Sequence, residues 1–266
     1  MLTLFISFCL GSLCAWAVGR DHGTFAGVVS GLGAMLVFQI IAGLILRSII
    51  NKRQMEIQNI LADAQNRIQK QINLFQKRPP SSQNAARQAL EKIQNDAARK
   101  ALEATDIFKP YYIWNLMLKK QINTMKMQLL FQLGEYKKVD EILPKCFIVD
   151  HQSLAIKMTR MYRNNDADLD KFFNKRCAKT KGEARAFLAA VYAWMKLRQD
   201  EPQKALEALN NARKVSDLPV IVDNIEHIAN GRYRHYSNSS LGDAWYALGL
   251  EEPKVKPQRQ ARNRMF

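Results

Sequence analysis

A chain of 266 residues with 40 Lys and Arg against 24 Asp and Glu carries a net charge of +16, which calls for an anionic neighbour such as a lipid surface or nucleic acid. Its four cysteines, Cys9, Cys14, Cys146 and Cys177, form no CxxC or other metal-ligand spacing, which argues against a disulfide scaffold or zinc site and fits a reduced compartment. Ala, Leu, Gln, Lys and Glu dominate, strand-type alternation is nearly absent, and Gly and Pro serve mainly as punctuation, so the expected fold class is all-α.

The first element is Leu2 to Val18, apolar and uncharged, just long enough to span a hydrocarbon layer. Ala15-Trp16-Ala17 also reads as a small-x-small cleavage site before the polar break Gly19-Arg20-Asp21-His22, so residues 1–17 are either a retained helix or a signal peptide. Against cleavage stands the lack of any Lys or Arg before Arg20. The second element, Phe25 to Leu46, has no charged residue and is bounded by Arg47, Lys52 and Arg53. The two stretches predict a transmembrane helical hairpin within residues 1–50, and the basic flank places the bulk of the chain on the cytoplasmic side. Small residues recur every fourth position: Gly11, Ala15 and Gly19, then Gly23, Gly27 and Gly31. Such stripes let helices approach closely, either within the hairpin or, through Gly27 and Gly31, between two copies of the chain. Gln39 is the one strongly polar side chain inside the second stretch and is expected to bond a neighbouring helix.

No Gly or Pro lies between Gly43 and Pro79, so the second helix is expected to run on unbroken to Arg78, as a stalk holding the C-terminal helices away from the membrane. Ile57, Leu61, Ala64, Ile68 and Phe75 mark an apolar stripe along it. Pro79-Pro80-Ser81-Ser82 breaks the chain, and a helix over 84–108 presents Ala86, Leu90, Ile93, Ala97 and Ala101. Two stripes joined by a tight breaker predict an antiparallel hairpin over 51–109; a coiled-coil dimer is the alternative.

From Lys109-Pro110 onward the residues begin to resemble a family. Phe131-Gln132-Leu133-Gly134-Glu135-Tyr136, followed by Lys137 to Leu143, is similar to the turn between the paired helices of a tetratricopeptide repeat. Ala186 to Lys214 is a second match, with Ala193, Ala205 and Ala212 at the small positions where such helices cross. Gly134 and Asp200 occupy equivalent turns, and their separation is close to two periods of about 34 residues, which predicts a middle unit turning at Asn164-Asn165-Asp166. Arg160 and Phe172 depart from the small residues expected in that unit. Trp245-Tyr246-Ala247-Leu248-Gly249 resembles a repeat opening but falls out of phase, and reads as a capping element. The repeat domain is thus expected over 110–250.

The resemblance implies a protein-binding groove lined by first helices, which carries over to Gln121, Thr124 and Gln128 in one repeat and Phe187, Ala190 and Trp194 in another. A Trp on a helix is more often core than interface, so Trp194 has both readings. The tail 251–266 is basic through Lys254, Lys256, Arg259, Arg262 and Arg264, suited to anionic lipid headgroups or to solubility alone; nucleic acid ranks behind, lacking interleaved aromatics. His22, His151, His227 and His235 are isolated, and no phosphate-binding, nucleophile-elbow or metal motif occurs, so no catalytic residue, cofactor or metal is assigned. The function expected is a membrane-tethered, non-enzymatic adaptor that binds a protein partner; the alternative is a basic membrane-surface or RNA-binding protein acting through its tail.

Overall fold

A computed structural model describes residues 2–253, all of whose regular elements are helical. The basic tail residues Lys254, Lys256, Arg259, Arg262 and Arg264 lie outside the described residues. The chain forms two compact units, Met1–Phe147 and Ile148–Phe266.

The first unit opens with two helices long and apolar enough to cross a membrane, α1 (Leu2–His22) and α2 (Thr24–Lys77). They pack antiparallel through their small residues. A Cβ on Gly27 would lie 2.5 Å from the Ala15 carbonyl oxygen, and one on Gly31 2.6 Å from that of Gly11, so both positions accept only hydrogen. Gly27 and Gly31 are therefore occupied within the chain. Gln39 donates to the Ser7 hydroxyl at 2.8 Å and the Thr3 carbonyl at 3.3 Å, which satisfies a polar side chain in an otherwise apolar seam. Away from the seam, Phe5, Phe8, Leu13 and Trp16 of α1 and Phe25, Leu36, Ile40 and Leu44 of α2 stand open on all sides.

The 54-residue α2 is continuous because nothing between Gly43 and Pro79 interrupts its hydrogen bonds, and it ends where Arg78 turns extended before proline. Ser82 caps α3 (Gln83–Ala104) by accepting from the Ala85 amide at 3.1 Å. Its Ala97, Ala98 and Ala101 are buried, and their small side chains let it lie close along α2. A 3-10 turn over Thr105–Tyr111 leads to α4 (Leu116–Gln132), capped by Asn115, whose Oδ1 accepts from the Met117 amide at 2.9 Å. Short α5 (Tyr136–Ile142) follows.

Ile57 of α2, Ala98 and Ala101 of α3, Phe108, and Leu118, Ile122 and Leu129 of α4 make one core, with Ile50 packed at its edge. This arrangement corrects the expectation of a spacer. The α2–α3 hairpin does not hold α4 at its far end; the chain travels out along α2, returns along α3, and sets α4 against Ile57, only eleven residues beyond Leu46.

The second unit contains α6 (His151–Arg163), α7 (Leu169–Lys175), α8 (Gly182–Arg198), α9 (Pro202–Arg213), α10 (Pro219–Ala229) and a last turn, α11 (Asp243–Tyr246). Every residue of α8 from Ala186 to Lys196 is buried, as its sequence, apolar on all faces, requires. The helices α6 and α9 pack against it.

One local device recurs along the chain. The amides of Glu135, Asp166, Glu201 and Arg232 each reach back five residues, to the carbonyls of Leu130, Met161, Lys196 and His227, at 2.7 to 2.9 Å. The residue before each is left-handed: Gly134 (φ 73), Asn165 (φ 51), Asp200 (φ 60) and Gly231 (φ 67). Thus α4, α6, α8 and α10 all end in the same Schellman cap, spaced by 31, 35 and 31 residues.

Candidate functional site

The residues assigned to a groove by the repeat resemblance fare differently in the two units. On α4, Gln121 is exposed and Gln128 half-buried, whereas Thr124 is buried and its hydroxyl accepts from the Phe147 amide at 2.9 Å. On α8 all three positions are covered. Phe187 makes an edge contact with His151 at 5.8 Å, and Ala190 is fully enclosed.

Over Ala190 and Trp194 the cover comes from the chain's own C-terminal segment. The Ala190 carbonyl accepts from the Tyr236 hydroxyl at 2.8 Å and from Asn238 Nδ2 at 3.0 Å. Trp194 packs edge-on between Tyr162, at 5.9 Å, and Trp245, at 5.7 Å. Both indole N–H groups donate to one carboxylate, Trp194 to Glu251 Oε1 at 2.7 Å and Trp245 to Oε2 at 3.2 Å. Buried Asn224 of α10 holds the segment's entry, donating to the Ser237 carbonyl and accepting from its amide, both at 3.0 Å. Phe187, Ala190 and Trp194 therefore belong to a packed interior, and the W-x-x-L-G stretch supplies its lid through Trp245 and Leu248.

A polar cluster lies on the neighbouring face of α8. Lys196 is buried, and its ammonium pairs with Asp170 of α7 and, at 2.9 Å, with Glu201 in the α8–α9 turn. Lys204 bridges the same two carboxylates, at 2.7 and 3.0 Å, and the Tyr192 hydroxyl donates to Asp170 at 2.9 Å. Tyr192 in turn stacks flat on Phe173, with ring centroids 3.9 Å apart. Beside them opens a cleft of about 160 Å³, lined by Asp170, Asn174, Arg185, Lys204, Glu207 and Asn211 among others.

The electrostatics arise from this geometry. Burial works to raise the Asp170 carboxyl, but the Lys196 and Lys204 ammonium groups and the Tyr192 hydroxyl outweigh it and hold the group at about 2. Burial, reinforced by the bond to Asp170, pushes the Tyr192 phenol well above its ordinary value. Acid and phenol are thus displaced away from neutrality in opposite directions, the reverse of what proton transfer near pH 7 requires. Burial likewise pushes the Cys177 thiol up to about 12, which makes it an inert core group. Among the described residues no three His, Cys, Asp or Glu side chains converge as a metal would need.

Sequence reasoning missed the Asp170, Lys196, Glu201 and Lys204 cluster because its members come from three elements. One signal was available: Lys196 directly follows the apolar run Ala186 to Met195, and a lysine buried there must find acids. It also missed the exposed Ile113 and Trp114 in the loop before α4 and the exposed Met117 in its first turn. Compared with known proteins, the chain matches no family model, no curated protein and no solved structure.

Proposed function

We propose that the protein is a membrane-tethered, non-enzymatic adaptor. In this reading α1 and the first half of α2 span the bilayer as a hairpin, with Arg47, Lys52 and Arg53 on the cytoplasmic side, and the helical repeats beyond them are tetratricopeptide-like and recruit or assemble a protein partner. The observation that carries it is the contrast between the two kinds of surface. Large apolar side chains stand open all round the hairpin, with Phe25 82% exposed, while the helical pairs beyond Arg47 fold their apolar residues into cores of their own. An open apolar belt of that extent is stable in lipid and costly in water. The four identical caps support the repeat reading, since they give one helix-turn geometry at a near-constant spacing.

Partner contact is assigned to the exposed position Gln121 of α4, not to the covered face of α8. A photoreactive amino acid introduced at Gln121 in intact membranes should crosslink a protein of defined mass in the alkali-resistant membrane fraction, and the crosslink should survive removal of residues 254–266. Release of the chain by alkali refutes the anchor. Crosslinks only to lipid refute the adaptor, and a crosslink that vanishes with the tail favours binding through the basic residues instead.

A further inference from the structure

The end of the 3-10 turn, Lys109-Pro110-Tyr111, the loop Tyr112-Ile113-Trp114-Asn115 and the start of α4 follow one another directly. Three apolar side chains there turn outward: Ile113 is 64% exposed, and Trp114 and, in α4, Met117 are each more than a third exposed. In a soluble setting three such neighbours would form an unexplained apolar patch.

Their position explains them. The Leu2 amide donates to the Ile113 carbonyl at 3.2 Å, and the Thr3 hydroxyl donates to the Trp114 carbonyl at 3.4 Å. The loop is therefore bonded to the very start of α1, where helix amides have no partner of their own. The height of that start is fixed by α2. Thr3 and Ser7 lie beside Gln39, and Arg47 is eight residues further on, about 12 Å along the axis at about 1.5 Å per residue. The loop thus sits at the level of the last open apolar turns of α2, Ile40 to Ile45, just before the basic level of Arg47 and Lys52. Trp and Tyr concentrate at this level in membrane proteins, because their rings prefer the headgroup boundary to either water or hydrocarbon. Lys119 and Lys120, exposed on the first turn of α4, flank the patch with charge suited to phosphate headgroups. Asp106, the nearby acid, is already engaged by Lys109 and Lys126, at 2.7 and 2.9 Å.

We propose that residues 109–120 form a third membrane-contact element, with Ile113, Trp114 and Met117 seated at the headgroup boundary of a phospholipid bilayer beside the open end of the hairpin. This rests on the reading of α1 and α2 as membrane-spanning. The element fixes the depth and tilt of α4, since the chain is held to lipid on both sides of the soluble core. It also seals the start of α1, whose polar groups would otherwise face the acyl boundary.

The test uses the full chain in vesicles of phosphatidylcholine and phosphatidylglycerol, in which the phosphatidylcholine is brominated either near the headgroup or near the chain end. Subtracting the fluorescence of Trp114→Phe from that of the parent isolates Trp114, and Trp16→Phe isolates Trp16 in the same way. Trp114 should be quenched at least about twofold more by the shallow bromines than by the deep ones, and should be poorly reached by aqueous iodide. If Trp16 is quenched by lipid while Trp114 is quenched only by iodide, the interfacial element is refuted and the hairpin stands. If lipid quenches neither, the spanning reading fails and this inference fails with it. A second measurement needs no substitution: photolysis with a diazirine-tagged phospholipid should mark the peptide carrying Ile113 and Trp114 as well as peptides of the hairpin. Marks confined to the hairpin overturn the proposal.

Discussion

Replacing Lys196 by Met keeps the stem that α8 buries and removes the charge at the centre of the ion cluster. Losing one partner of a buried pair costs about 3–5 kcal/mol when the other charge is left alone. Here it is not left alone, because Asp170 keeps Lys204 at 2.7 Å and the Tyr192 hydroxyl at 2.9 Å, and Glu201 keeps Lys204 at 3.0 Å. Both carboxylates are also about a third exposed, so water screens part of the loss. The expected cost is therefore about 1–3 kcal/mol. With a urea dependence of about 2 kcal/mol per M, the unfolding midpoint of the second unit should fall by about 1 M. The assay is urea titration of the full chain in mild detergent, following the fluorescence of Trp194 and Trp245, which both lie in that unit. Asp170→Asn measured alone and with Lys196→Met should show coupling, the second change costing less than the first. A midpoint unchanged by Lys196→Met would show that its charge contributes nothing to the fold, and strictly additive changes would show that Lys196 and Asp170 do not act on one another.

The same cluster sets a pH dependence. The folded carboxyl of Asp170 is depressed from 3.8 to about 2, so its contribution is complete above about pH 4 and is lost as pH falls through about 2. A shift of that size is worth at most about 2 kcal/mol, and nearer about 1 kcal/mol after allowing for solvent at the carboxylate; in acid titration Asp170→Asn should flatten this limb. In the hairpin, Gly27→Leu should lower the temperature at which the detergent-solubilised chain aggregates, because added atoms meet the Ala15 carbonyl and Gly19 backbone, whereas Gly33→Leu, which meets nothing within 4 Å, should not. At the caps, Asn165→Ala should cost about 1 kcal/mol in thermal unfolding and Asn165→Gly should not, since only the backbone conformation is at stake. Asn224→Ala should speed hydrogen exchange of the Ser237 amide, which loses its acceptor, and a protected amide there would contradict the role given to Asn224.

What could be read from the sequence were features written in local periodicity. The apolar stretches, the break at Pro79-Pro80 and the turn at Gly134 each depend on residues within one or two turns of one another. The near-equal separation of Gly134, Asn165 and Asp200 was legible for the same reason, because a left-handed cap constrains a single residue. Burial of the α8 face was not legible. Nothing about Ala190 or Trp194 announces that Tyr236, Asn238 and Trp245 will lie over them, more than forty residues later in the chain. The Glu251 carboxylate shared by two indoles is equally silent in sequence, where Glu251-Glu252 falls at the start of the stretch read as a basic tail. Trp194 is compatible in sequence with core and interface alike, and its placement agrees with the burial tendency of large aromatics.

The return of α3 along α2 changes which part of the first unit lies away from the hairpin. Had the chain left the tip of α2 and continued away, α4 would sit far from the hairpin, with α2 as a spacer. Instead Leu118 and Ile122 of α4 share a core with Ile57, and the Leu2 amide is bonded to the loop just before α4, so α4 begins at the base. What projects is the other end of the α2–α3 pair: from Ile57 to Lys77 it extends about 30 Å at about 1.5 Å per residue. That arm is held by small contacts, Ala64 against Ala97 and their neighbours, and carries exposed Leu74 near its tip. On the adaptor reading, the arm and the exposed Gln121 of α4 lie at different heights along α2, and a partner that bridges them must be at least about as long as the arm itself.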